Sequence, residues 1–320
     1  MERSILVFGG SGFVGTHLLR RLRKTVAAKI VSVDLRAPTA PISGVEYKIG
    51  DVRALGNFDV PDAIETIYNL AAVHRTPGHP DHEYYETNVG GAIEIAALAR
   101  RKHVPQIVFT SSISVYGPGE DTKLEETPPA PSSSYGRSKL LAEQVFRDWA
   151  TENQERKLVI TRPAVVFGPG ENGNFTRLAT LLQKGFFIYP GRRDTIKGCF
   201  YVEDLINAIE FARSCPERFV LFNACYPDRY TIEDIVTAFR ASYFPNAREL
   251  LLPESAVKAA ATILKPFSAV GVGIHPDRVM KLVKSTNVVP GWLQSKGQAP
   301  LGQLQSALLR WRNDSSGCFT

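Results

Sequence analysis

The chain has 320 residues, 44% of them hydrophobic and 22% charged, and its four cysteines show no CxxC spacing and no nearby histidine cluster. This composition predicts a globular protein with a large core, and it argues against a disulfide framework and against a zinc site. The net charge of +6 comes without a nucleic-acid-binding motif, so nucleic acid is not an expected partner. The opening "MERSILVFGG" has too few apolar residues before its glycines for a signal peptide. We therefore expect a cytoplasmic protein.

The longest weakly polar stretch is "SAVKAAATILKPFSAVGVG", residues 255–273, which contains two lysines and a proline. A transmembrane helix needs about 20 largely uninterrupted apolar residues. The stretch therefore predicts an amphipathic helix docked on the protein and no transmembrane segment. Peripheral contact with a membrane surface stays open.

Short apolar, β-branched runs alternate with helical patterns in the first half of the chain. Strands are predicted at 4–8, 29–34, 45–50, 66–72, 106–112 and 157–163, and helices at 12–24, 82–102 and 132–150. Uncharged strands separated by crossovers predict an α/β fold with a doubly wound parallel sheet of the Rossmann type. After residue 164 the alternation becomes irregular, with helices predicted at 174–184, 202–213 and 231–242.

A glycine-rich turn, "GGSGFVG", places Gly9, Gly12 and Gly15 between the first strand and the first helix. Such a turn presents free backbone N–H groups to a phosphate, and glycine lets a pyrophosphate approach the chain. Asp34 ends the second strand, where a carboxylate would bind the adenosine ribose. The carboxylate favours NAD, whereas nearby Arg36 could hold a 2′-phosphate, so NADP is not excluded.

These patterns together predict two unequal parts. We expect an NAD(P)-binding domain over 1–164, with its sheet completed by parts of 198–225, and a smaller, interleaved substrate-binding lobe over 165–320.

"YGRSK" places Tyr135 and Lys139 four residues apart, on one face of the predicted helix 132–150. A tyrosine with a pKa of about 10 is a poor base at neutral pH. An ammonium group nearby favours the phenolate and lowers that pKa, which would make the tyrosine a usable proton shuttle.

Ten motifs in order resemble those of the extended short-chain dehydrogenase/reductases, the NAD-dependent epimerase/dehydratase family. This family contains nucleotide-sugar epimerases, dehydratases and ketoreductases. The motifs are "GGSGFVG", "GDVR" (50–53), "NLAA" (69–72), "NVGG" (88–91), "SSISVYG" (111–117), "YGRSK" (135–139), "RPAVVFGPG" (162–170), "YVEDL" (201–205), "YTIEDIV" (230–236) and "HPDRV" (275–279).

The resemblance implies a role for each matched residue. Ser112 is the catalytic Ser/Thr, Tyr135 the general acid/base, and Lys139 the residue that binds the nicotinamide ribose. Asn88 is expected to brace the active-site helix, and Pro163 to contact the nicotinamide end. The implied cofactor contacts are Gly9, Gly12, Phe13, Val14, Gly15, Asp34, Arg36, Asp51, Val52, Leu70, Ala71, Ala72, Asn88, Tyr135, Lys139 and Pro163.

The dehydratases of this family carry an Asp-Glu pair directly after the Ser/Thr, where this chain has Ile113 and Ser114. Loss of water needs an acid and a base, and isoleucine is neither. A 4,6-dehydratase is therefore disfavoured. A 4-epimerase that retains NAD and a 4-ketoreductase that uses NAD(P)H once both stay open, as does an epimerase of a lipid-linked sugar. A non-catalytic NAD(P)-sensing protein is disfavoured by the intact triad.

The segment 71–91, "AAVHRTPGHPDHEYYETNVGG", resembles a subgroup tied to bacterial surface polysaccharides such as lipopolysaccharide and O-antigen. With Asp34 favouring retained NAD, the expected reaction is C4 epimerisation of a UDP-hexose or UDP-N-acetylhexosamine. The family also suggests a homodimer through the helices 82–102 and 132–150.

The residues expected to contact the nucleotide sugar match the family less completely than the cofactor residues do. The family usually has an asparagine where this chain has Val165, so one polar contact is missing. The histidines at 79 and 82 are interpreted as solvated, and no metal is expected. The residues implied at the substrate are His74, Ser112, Asn174, Lys197 and Arg278.

Overall fold

The computed structural model describes residues 3–75, 78–253, 255 and 283–320. Its centre is a seven-stranded parallel sheet, which confirms the predicted α/β fold class. In spatial order the strands are β11 (Phe219–Ala224), β7 (Lys157–Pro163), β5 (Gln106–Thr110), β4 (Ile64–Asn69), β1 (Ser4–Phe8), β2 (Lys29–Asp34) and β3 (Val45–Ile49). The order reverses at β1, where β2 and β4 are its two neighbours. A reversal of this kind opens a crevice at the carboxyl ends of the strands.

Helices cover both faces of the sheet, because its strands are apolar on both sides. In β1, Ile5 and Val7 belong to one core cluster, and Leu6 and Phe8 to the other. The first core also contains residues of α1 (Phe13–Thr25) and α6 (Val202–Ser214), and the second contains residues of α3 (Gly91–Arg101) and α4 (Ser134–Thr151).

The helix predicted over 82–102 is not a regular α-helix. It begins with α2 (Asp81–Tyr84), passes through a π-helical turn over Tyr85–Gly90 and continues as α3. A π-helical turn accommodates one extra residue, and such turns are frequent at functional sites. Here the turn contains Asn88.

The remaining elements interleave the two halves of the chain. Strand β11 completes the central sheet, although it follows residue 164. Short two-stranded pairs join β8 (Val165–Phe167) to β10 (Cys199–Tyr201), β9 (Phe186–Gly191) to β12 (Arg248–Pro253) and β6 (Gly119–Lys123) to β13 (Thr286–Val288). The helices of this part are α5 (Asn174–Gln183), α7 (Ile232–Ser242), α8 (Gly291–Ser295) and α9 (Gln303–Asp314). Among the described residues, no helix is both long and apolar enough to cross a membrane.

Candidate active site

The glycine turn after β1 is too tight for side chains. A Cβ on Gly9 would lie 2.6 Å from the backbone nitrogen of Ala71, and the φ of Gly9 is +81°. A Cβ on Gly15 would lie 2.3 Å from the carbonyl oxygen of Gly9. Helix α1 begins after Gly12 without a side-chain cap. Its first backbone N–H groups therefore remain available to a phosphate.

Asp34 and Arg36 are tied to this turn through Ser11. The backbone N–H of Ser11 donates to the Asp34 carboxylate at 3.1 Å, and the Ser11 hydroxyl donates to the carbonyl oxygen of Arg36 at 2.9 Å. The carboxylate expected at the ribose therefore lies beside the turn expected at the pyrophosphate.

The other predicted cofactor residues lie around the same sheet edge. Asp51 accepts hydrogen bonds from the backbone and guanidinium of Arg53, which lower the pKa of the Asp51 carboxyl. Val52 is buried against Gly91, and the Leu70 N–H donates to the carbonyl oxygen of Phe8 at 2.9 Å. The remaining ones begin α1 (Phe13 and Val14), follow β4 (Ala71 and Ala72) and end β7 (Pro163).

Ser112 follows β5 in an extended conformation and is 8% exposed. Its hydroxyl accepts a hydrogen bond from the Ser114 N–H and donates to the Ser114 hydroxyl, each at 3.1 Å. It also lies close enough to the Tyr135 phenol to lower the pKa of that phenol. The structure thus brings Ser112 and Tyr135 together, while the adjacent Ile113 side chain is buried.

Helix α4 presents Tyr135 and Lys139 on successive turns. Ser133 caps the helix by accepting a hydrogen bond from the Gly136 N–H at 3.1 Å. Lys139 is 2% exposed, and its ammonium lies 4.3 Å from the centroid of the Phe109 ring.

Burial decides the ionisation of both side chains. It lowers the pKa of Lys139 to about 7 and raises the pKa of Tyr135, although the nearby Ser112 hydroxyl opposes the latter shift. Desolvation of the phenol therefore outweighs the lowering of the Tyr135 pKa that the sequence predicted from Lys139, and the effect of Lys139 itself stays a prediction.

Asn88 links the loop after β4 to the turn that carries Tyr135. Its amide donates to the Val73 carbonyl at 3.1 Å and to the Ser138 hydroxyl at 2.9 Å, and its oxygen accepts from the Val73 N–H at 3.0 Å. Ser138 in turn donates to the carbonyl oxygen of Tyr135 at 2.8 Å. Asn88 thus contacts α4, and its part in cofactor binding stays a prediction.

The loop after β4 also brings His74 towards the site. His74 is exposed, but the atoms around its ring reduce its solvation and lower its pKa, and the charges of Arg75 and Lys139 act in the same direction. Tyr84 was missed by the sequence reasoning. It is 2% exposed, with its ring centroid 6.2 Å from that of Tyr135. Its place in the segment 71–91 was the available signal.

The other predicted substrate residues lie on the C-terminal part. Asn174 is exposed at the start of α5. Lys197 donates to the carbonyl oxygen of Lys284 at 2.6 Å, and burial lowers its pKa to about 8. Arg278 lies outside the described residues. His79, interpreted as solvated, is partly exposed and pairs with Glu83 at 2.7 Å. Within the described part of the chain, no group of His, Cys, Asp and Glu could hold a metal.

Residues 5–223 match the NAD dependent epimerase/dehydratase family. The chain belongs to this family. The predicted family is thereby confirmed.

Two relatives by sequence and one solved structure show how close the similarity is. This epimerase-family chain is 35% identical over 219 residues to the N-acetyl-alpha-D-glucosaminyl-diphospho-ditrans,octacis-undecaprenol 4-epimerase of Escherichia coli O157:H7, a match covering 66% of this chain and 63% of that one. It is 32% identical over 235 residues to the UDP-glucose 4-epimerase of Vibrio cholerae, covering 69% and 71%. The solved UDP-Glc/GlcNAc 4-epimerase of Campylobacter jejuni superimposes with a TM-score of 0.75 at 18% identity, covering 98% and 99%, and so shares the fold.

Proposed function

We propose that the protein inverts C4 of a UDP-hexose or UDP-N-acetylhexosamine, with NAD as its cofactor. The observation that carries the proposal is the cluster of Ser112, Tyr135 and Lys139 at the carboxyl edge of the sheet, beside a turn shaped for a dinucleotide. The 4-epimerases among its relatives support the same reaction.

The residues present fit NAD. The side-chain-free turn at Gly9 and Gly15 leaves room for a pyrophosphate at the start of α1. Asp34, held beside the turn by Ser11, would accept hydrogen bonds from the adenosine ribose and would repel a 2′-phosphate. When bound, NAD supplies a hydride acceptor that can later return the hydride.

Side chains of the protein then carry out the proton transfer of the reaction. Ser112 donates a hydrogen bond to the oxygen on C4 of the sugar, and the phenolate form of Tyr135 accepts the proton of that oxygen as C4 is oxidised. Lys139 holds the ribose hydroxyls and supplies positive charge. The 4-keto sugar then rotates within the site and presents its other face. The proton on Tyr135 returns to the C4 oxygen. Since Ile113 and Ser114 provide no carboxylate, no path to loss of water opens.

The test is the activity of Tyr135→Phe on UDP-N-acetylglucosamine and UDP-glucose. We expect kcat to fall at least about a hundredfold, the usual contribution of a positioned acid–base group. Tyr226→Phe is the matched control, because the hydroxyl of Tyr226 bonds Asp204 away from the site. Near-normal turnover by Tyr135→Phe would contradict the proposed mechanism.

A second candidate substrate is the same sugar linked through a diphosphate to a polyprenol, which is the substrate class named for the Escherichia coli relative. One feature of the fold favours it. The register of β9 and β12 places Ile188 beside Leu250 on one face, and both are exposed, as are the neighbouring Phe186 and Leu252. Such an apolar face suits peripheral contact with a membrane. Comparing turnover of the UDP-linked and polyprenyl-linked sugars, with flotation on vesicles, separates the two substrates.

We also propose a cytoplasmic homodimer that serves surface-polysaccharide synthesis, including lipopolysaccharide and O-antigen. The dimer is supported by exposed apolar side chains on the two helices expected at the interface, Ile93 of α3 and Leu141 of α4. Leu141→Glu should shift the protein to the monomer in analytical ultracentrifugation. Unchanged sedimentation would place the interface elsewhere.

A further inference from the structure

A buried ion pair lies directly behind the candidate active site. Glu143 is 1% exposed and Arg162 is 2% exposed. The Arg162 Nε donates to Glu143 Oε1 at 2.9 Å, and its Nη2 donates to Oε2 at 2.7 Å. Paired bonds of this kind fix the orientation of both groups. Buried ion pairs often add little to stability, because their desolvation is costly.

Each partner of the pair is next to a candidate site residue. The hydroxyl of Ser111, which precedes Ser112, donates to Glu143 Oε1 at 2.6 Å. Arg162 precedes Pro163 at the end of β7. Glu143 itself follows Lys139 by one turn of α4. One carboxylate therefore links the site ends of β5, β7 and α4.

The same network continues towards the C-terminal part of the chain. The Arg162 Nη1 donates to the Tyr116 hydroxyl at 2.8 Å, and that hydroxyl donates to Asn223 Oδ1 at 2.8 Å. The amide of Asn223 donates to the carbonyl oxygen of Val289 at 2.9 Å. All three nitrogens of the Arg162 guanidinium thus have partners, and a fully bonded buried network is rigid.

Lys139 is enclosed by few charges. Glu143 faces it from its own helix and favours its cationic form against burial. His74 faces it from the loop after β4, the uncharged Phe109 ring from β5, and Arg162 of β7 is neutralised by Glu143. Without Glu143, the buried Arg162 guanidinium would lose its carboxylate partner and the buried Lys139 ammonium would lose the negative charge that favours it.

We propose that Glu143 is a positioning residue for the reaction proposed above. Its carboxylate holds the strand ends that carry Ser112 and Pro163 in one fixed arrangement, and its negative charge acts on the ammonium of Lys139 one helical turn away. The inference rests on the proposed function for its kinetic effect only, because the arrangement itself can be measured without substrate.

The first test is Glu143→Gln, which removes the charge and keeps the size. The ionisation of Lys139 is followed by ¹³C NMR of the lysine ε-carbons, with the signal assigned by Lys139→Arg. We expect its midpoint of about 7 to fall by at least about one unit, and kcat to fall at least about tenfold with KM changed less than about threefold. An unchanged midpoint together with kcat within about threefold of wild type would overturn the proposal.

A second variant keeps the ion pair. Ser111→Ala removes one hydrogen bond to a charged group, and we expect kcat to fall about fivefold or more while the unfolding midpoint moves by only a few degrees. Wild-type kcat in this variant contradicts the link to β5. Because Ser111→Ala leaves Glu143 and Arg162 paired, it remains informative if Glu143→Gln does not fold.

The matched control is Asp204→Asn. Asp204 forms a similar paired ion contact with Arg310, at 2.8 and 2.7 Å, and its other hydrogen-bond partner among the described residues is Tyr226; neither partner is a candidate site residue. We expect it to change stability and to leave the Lys139 midpoint and kcat unchanged. If Glu143→Gln and Asp204→Asn lost kcat equally, Glu143 would have a general structural role and the proposal would be contradicted. If the wild type turns over no UDP-sugar, the NMR titration still decides the inference, and only the proposed function fails.

Discussion

Replacing Lys139 with methionine should stabilise the protein at neutral pH while abolishing its activity. Lys139 is 2% exposed, and burial lowers its pKa from 10.5 to about 7. Between these two values the unfolded chain binds the proton more tightly than the folded chain. The free energy of unfolding therefore rises with pH across this window. Methionine has a similar length and no charge, so it removes the cost of burying the amine.

The size of the effect follows from the shift. One pKa unit corresponds to about 1.4 kcal/mol, so the shift of Lys139 has a ceiling of roughly 5 kcal/mol. Since Lys139→Met also loses the favourable contacts with Glu143 and the Phe109 ring, we expect a gain of about 2–3 kcal/mol at pH 7. The gain should fade as the pH rises towards 10.5 and vanish above it, where the lysine is neutral in both states.

The assay is urea unfolding of wild type and Lys139→Met at three pH values, followed by tryptophan fluorescence. Lys24→Met is the control, since Lys24 is exposed on α1, and it should change the free energy of unfolding by less than about 0.5 kcal/mol. A Lys139→Met protein that is less stable than wild type at pH 7, or a gap that does not vary with pH, would refute the reasoning.

Three further changes test the cofactor side of the site. Gly9→Ala should abolish NAD binding in calorimetry and cost about 2 kcal/mol or more of stability, because its Cβ would meet the backbone of Ala71 at 2.6 Å; Gly56→Ala, with open space around it, should be neutral. Asn88→Ala loses its three bonds to Val73 and Ser138, and kcat should fall about tenfold. Asp34→Ala should weaken the binding of NAD about tenfold in the same calorimetry and narrow the difference in affinity between NAD and NADP. Wild-type NAD affinity in Gly9→Ala or Asp34→Ala, or wild-type kcat in Asn88→Ala, would contradict these assignments.

The central sheet was predictable because its strands are short apolar runs between glycine turns and amphipathic helices. Six of the seven strands were predicted, three of them with both ends as observed and three with ends displaced by one to three residues. The π-helical turn at Tyr85–Gly90 was not predictable, because its extra residue serves contacts with Val73 and Ser138 that lie far apart in the chain. The short pairs such as β6 with β13 depend on equally distant partners.

The candidate site was predictable where a local motif carries it. Tyr135 and Lys139 share one helix, and Ser112 lies in an ordered motif. The pKa directions were not predictable, because burial by residues from β5 and the loop after β4 is a property of the folded chain. For the same reason Tyr84 and Glu143 escaped notice. Their partners come from other parts of the sequence.

The most direct measurement of the central claim is the fate of the hydrogen on C4. UDP-N-acetylglucosamine and UDP-glucose are incubated with the enzyme and NAD in D₂O, and the products are analysed by proton NMR. An epimerase of the proposed kind gives the C4 epimer with protium retained at C4 and no net change in NAD. Deuterium at C4, a stoichiometric change of the cofactor, or recovery of unchanged sugar would contradict it.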